Sequence, residues 1–172
     1  AVGVSTMHDD SPTLRAFAVA LSPFPPTTEA KFQNTFEFLA VILGLLLMRH
    51  LNLRSQAYSL HGDSVSSLTW ATQDRTASEL ARRANIGFTL LATEIDAVVS
   101  DTVHVPGTQN IVYDGLSRGI PAASLGLDPG LQVHLHQSHP FLRFLTLCNP
   151  MLPLVTPDEH LSLAAEFLRV LH

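Results

Sequence analysis

Residues 104–118 read His104-Val105-Pro106-Gly107-Thr108-Gln109-Asn110-Ile111-Val112-Tyr113-Asp114-Gly115-Leu116-Ser117-Arg118, and their punctuation divides the chain. The β-branched run over 97–105 predicts a strand, closed by Pro106-Gly107. Residues 110–118 then predict a short helix, stopped by Gly119 and Pro121. Asp114 opens that helix.

Moving upstream, residues 56–61 predict another strand, ending in Gly62-Asp63-Ser64, and residues 65–72 a short helix carrying Trp70. Thr76-Ala77-Ser78-Glu79 fits a capping box, with Leu80, Ala84, Phe88 and Leu91 following at helical spacing. A further helix is expected from Asn34 or Thr35, either of which can cap it, through the apolar run to Met48, Arg49 and His50. It is apolar nearly all round, so it should be buried. Residues 1–7 and 14–21 are β-like, joined by the turn chemistry of His8-Asp9-Asp10-Ser11-Pro12. Pro23, Pro25 and Pro26 then interrupt any regular element. The order is strand, strand, helix, strand, helices, strand, helix, which is an α/β fold with a mixed sheet. Beyond Arg118 the character changes. Residues 1–118 are read as one domain, and residues 119–172 as a Pro-, Gly- and His-rich linker with an amphipathic helix over 157–171.

Of the 172 residues, 46% are hydrophobic and 15% charged, so a substantial core can form and global disorder is excluded. The net charge of −5 does not suit a stand-alone binder of polyanions, which needs a basic face. A nucleic-acid partner would have to be gripped mainly by another module. The single cysteine, Cys148, excludes an intrachain disulfide and a cysteine-rich zinc site. The apolar run 38–48 is about half the roughly 20 residues that span a bilayer, and Glu37 and Arg49 bracket it, so no membrane association is expected.

Three acids stand at informative places: Glu37 in the expected first turn of the buried helix, Asp63 at a strand end, and Asp114 at a helix start. Such positions converge readily at one edge of an α/β sheet. Carboxylates gathered there suit hard divalent cations such as Mg²⁺. Two such ions can activate a water and stabilise a leaving oxygen in phosphodiester hydrolysis. Taken singly, each acid is also well explained as a helix cap or a solvated charge.

The surroundings of these acids carry more information. The stretch 104–118 resembles the "H-[IV]-P-G-x-x-N-x-x-x-D-x-L-S-R" ending of retroelement ribonuclease H domains. Leu60-His61-Gly62-Asp63-Ser64-Val65-Ser66-Ser67-Leu68-Thr69-Trp70-Ala71 is similar to their strand followed by "D-[SN]-x-x-[AS]-L-x-W". Thr35-Phe36-Glu37-Phe38-Leu39-Ala40-Val41 is similar to their "x-x-E-[FL]-x-A-[VI]" helix start. The three fall in the family's order and cover roughly residues 1–118, the last being the most specific. The resemblance implies a ribonuclease H-like, five-stranded mixed sheet flanked by helices. It also implies cleavage of the RNA strand of an RNA–DNA hybrid with two Mg²⁺ ions, within a polyprotein whose upstream reverse transcriptase module holds the template. Glu37, Asp63 and Asp114 then match metal ligands. His104 matches a loop histidine that assists product release or proton transfer, and Asn110 an asparagine that braces the same loop near the substrate. The location so implied is intracellular, in cytoplasm or nucleus.

The pattern departs from the family at its first ligand, an Asp on the central strand. Either residues 1–7 and 14–21 are the second and third strands and the first lies upstream of residue 1, or residues 1–8 are the first strand and Asp9 is the ligand. The mid-strand opening Ala1-Val2-Gly3-Val4 favours the former, in which case the fragment alone should fold poorly and be inactive. A non-catalytic, degenerate ribonuclease H-like domain is the alternative, and an unrelated α/β interaction module the third reading. His134, His136 and His139 form an H-x-H-x-x-H group that offers imidazoles but lacks a fourth zinc ligand. Arg75, Arg82 and Arg83 read as a solvated helix face, and Phe141, Phe144 and Leu145 as packing. Ser64 and Ser117 lack a partner histidine for nucleophilic catalysis.

Overall fold

A computed structural model of the chain describes residues 1–19, 30–73 and 79–134, without the side chains of 30–32, 79, 80 and 83. Strands β1 (Val2–His8) and β2 (Ser11–Ala18) pair antiparallel, from Val2 opposite Ala18 to His8 opposite Ser11. Asp9 and Asp10 form the two-residue turn between them, with φ of 49° and 60°. Positive φ at both central positions is the turn whose twist matches a hairpin, and Asp tolerates it better than most residues. The ladder shifts register between Val4 and Ser5.

Helix α1 (Ala30–His50) comes next. It starts four residues before Asn34, so Glu37 lies in its third turn and not its first. Ala30, Lys31 and Gln33 are good helix formers, which lets the helix begin ahead of the polar pair Asn34-Thr35, and Thr35 is buried. Phe38, Ile42, Leu43, Leu45 and Leu47 are almost wholly buried, as an all-round apolar helix requires.

Strand β3 (Ala57–Gly62) and strand β4 (Val98–His104) pair in parallel, joined by helices α2 (Val65–Thr72) and α3 (Glu79–Glu94). Ser64 caps α2 by accepting from the Ser67 amide at 3.3 Å. The expected capping box at 76–79 lies largely outside the described residues. Phe38 of α1 meets Trp70 of α2 edge-on at 5.8 Å and Phe88 of α3 at 5.5 Å. Helix α4 (Ile111–Ser117) comes after β4, succeeded by single 3₁₀ turns at Ala122–Leu125 and Pro129–Leu131. The amide of Val133 donates to the Phe17 carbonyl at 2.9 Å, which lays this segment along the outer edge of β2.

The fold is therefore mixed α/β, as expected. The five-stranded sheet implied by the resemblance is not what the described residues form. They form two separate two-stranded sheets, β1-β2 and β3-β4. Both lean on α1 through one apolar cluster, with Val2, Val4, Ala16 and Ala18 from the first sheet and Tyr58, Leu60 and Val99 from the second. Among the described residues no helix is long and apolar enough to cross a membrane. The expected helix at 157–171, with His136, His139 and Cys148, lies outside the described residues.

Candidate functional site

The three sequence-selected acids come from three elements: Glu37 from α1, Asp63 from the turn after β3, and Asp114 from α4. All are partly shielded from solvent. Burial, and next the Asp63 carboxylate, push the Glu37 carboxyl above its ordinary value, and Asp114 pushes the same way. Glu37 thus feels both of the other carboxylates across the fold. Two groups oppose the rise. The Gln33 side-chain amide donates to Glu37 Oε1 at 2.8 Å, and the Ala1 ammonium attracts it. That ammonium, which burial lowers, is itself held up by Glu37 and Asp63. The first residue of the chain therefore stands at the acids.

His104 is the last residue of β4, opposite Gly62 in the ladder. Its Nε2 lies 3.2 Å from the Asp63 backbone carbonyl oxygen, and the Val105 amide donates to the Gly62 carbonyl at 2.9 Å. The strand pairing alone places the histidine beside Asp63. Asn110 stands just before α4, and its side chain makes no capping bond. Its backbone closes the Pro106–Asn110 turn, donating to the Pro106 and Gly107 carbonyls at 3.2 Å each and accepting from the Asp114 amide at 3.0 Å.

Asp9 is elsewhere. It sits at the tip of the β1-β2 hairpin, nearly fully exposed, 3.4 Å from His8. With Ala1 at the acids, seven strand residues at about 3.3 Å each carry Asp9 roughly 20 Å away. Of the two placements of a fourth carboxylate, Asp9 is the one that this geometry disfavours.

Gln33 and Tyr113 do not stand out in the sequence, and Arg118 does so only as the last residue of the quoted motif. Arg118 Nε reaches both carboxylate oxygens of Asp114 at 2.9 Å. The i,i+4 spacings of Gln33 to Glu37 and of Asp114 to Arg118 are signals that could have found two of them. Tyr113 packs on Gly3, whose missing Cβ would stand 2.9 Å from two of its ring atoms, and no sequence pattern announces that contact.

The donor set is three carboxylates beside an imidazole, the oxygen chemistry that Mg²⁺ takes. Among the described residues, no three His, Cys, Asp or Glu side chains are gathered closely enough to hold a metal ion as they stand. Asp114 is turned to Arg118. Comparison of the chain with protein-family models, with curated proteins and with solved structures gives no match.

Proposed function

We propose that residues 1–118 are the ribonuclease H-type domain of a retroelement reverse transcriptase polyprotein, hydrolysing the RNA strand of RNA–DNA hybrids. The observation that supports this reading is that Glu37 feels the carboxylates of both Asp63 and Asp114, with His104 against the Asp63 backbone. Glu37, Asp63 and Asp114 would hold two Mg²⁺ ions, which supply an activated water and a stabilised leaving oxygen.

The chain's own residues do the rest. The β3-β4 pairing fixes His104 next to Asp63, where its imidazole can pass a proton to or from the departing product. Asn110 holds the loop that leads to Asp114. Arg118 holds the Asp114 carboxylate in a fixed orientation through its Nε until a stronger cation competes for it. The reading needs a fourth carboxylate, which no described residue brings to the site.

The test is hydrolysis of a labelled RNA–DNA hybrid with Mg²⁺ by the chain extended upstream through its native sequence. Asp63→Asn is expected to lower the rate by at least about two orders of magnitude, the scale seen when one catalytic electrostatic contact is removed. Equal cleavage by both forms would refute the site. Absence of cleavage by an extended chain that folds would favour the degenerate, non-catalytic domain.

A further inference from the structure

We infer that the groove between β2 and the C-terminal end of α1 is a binding site for a phosphate group. The groove has a volume of about 430 Å³ and draws its walls from three remote segments: Arg15 from β2, His50 and Leu51 from the end of α1, and Gln132, Val133 and His134 from the segment laid along β2. The Val133 amide bonded to Phe17 holds that third wall in place.

Its charged side chains are one-sided, set against the partial negative charge at the C-terminal end of α1. Its lining includes one arginine, two histidines and a glutamine, and no Asp or Glu, although acids outnumber Lys and Arg 15 to 10 in the chain. Among the described residues, the side chains of Arg15, His50 and His134 have no hydrogen bond or ion pair, so their donors are free for a ligand. Asp128 stands beside the lining, and its Oδ1 accepts from the Gly130 amide at 2.8 Å. Glu94, near the same end of α1, is held by Arg49 at 3.0 Å. Neither acid is among the residues that line the groove.

A phosphate fits this donor set better than a carboxylate. Arg15 can grip two of its oxygens in a fork, and the remaining oxygens stay available to two further donors approaching from other directions. The apolar wall of Leu51 and Val133 excludes water from one side, which strengthens such contacts. The groove lies thirteen residues along α1 from Glu37, or about 20 Å at 1.5 Å per residue. It is a second site, and it does not depend on the nuclease reading.

The phosphate has two sources, a free phosphate compound or a nucleic-acid backbone, and a two-armed titration separates them. Inorganic pyrophosphate and a labelled single-stranded oligonucleotide are each titrated at low salt against the full 172-residue chain. The comparisons are Arg15→Gln and the double variant His50→Asn/His134→Asn, each checked for an unchanged circular dichroism spectrum. At least one probe should bind, and Arg15→Gln should weaken it roughly tenfold or more, the scale of a lost charge-assisted bond. Binding of pyrophosphate assigns a free compound, and binding of the oligonucleotide alone assigns the backbone. Failure of both probes to bind, or binding that is indifferent to Arg15, overturns the site.

Discussion

Glu37 shows what burial, and then the nearness of like charges, costs a single residue. Its folded carboxyl holds a proton to higher pH than in the unfolded chain, so the folded state binds more protons and stability is lost as pH rises through the raised value. Removing the charge should relieve this. Glu37→Gln is expected to raise Tm in metal-free neutral buffer by roughly 2–4 °C, what about 1 kcal/mol is worth in a chain of this size. The variant should also flatten the acid-side pH dependence, read by thermal melts from about pH 4 to 8. Mg²⁺ binding should run the other way, strengthening as pH rises and Glu37 ionises. At the far end of α1, Glu94 is a buried carboxylate that Arg49 compensates, with its second oxygen unpartnered. Arg54 approaches at 3.8 Å from a more exposed position. Arg49→Met should therefore cost about 2–4 kcal/mol in urea melts, because it strands a buried charge. Glu94→Gln should cost clearly less.

At the scale of elements, the most faithful sequence signals are local ones. The helix at 65–72 and the hairpin turn at Asp9-Asp10 arise from a cap and a turn whose chemistry is complete within a few residues. The start of α1 is misplaced in the sequence reading because Asn34 and Thr35 resemble caps, whereas helix-forming Ala30, Lys31 and Gln33 carry the helix past them. The three acids and His104 are legible from spacing and from the resemblance. Their actual separations are not, since these depend on side chains such as Arg118 that compete for Asp114. The seat of α4 is not legible at all. It rests on Tyr113 meeting a residue with no side chain, Gly3 of β1. Gly3→Ala should push the ring away and destabilise the fold by about 1–3 kcal/mol. Tyr113→Leu in the same chain should recover part of that loss, a coupling that a double-mutant cycle measures.

Across the whole molecule, one helix serves two sheets that do not bond to each other. β1 and β3 each have a single strand partner among the described residues, an arrangement that leaves backbone donors and acceptors along their other edges open to pairing. Cohesion between the halves falls to α1, which contributes most of the buried residues of the shared cluster, and to the Tyr113 contact. Such a molecule need not open all at once. Native-state amide hydrogen exchange should resolve at least two protection classes: slow amides in the middle of α1, and faster ones in the β1-β2 ladder that exchange together at lower opening free energy. A single uniform class would mean that the hairpin and the parallel pair unfold as one cooperative unit. A shared axle of this kind lets one half loosen while the other keeps its grip.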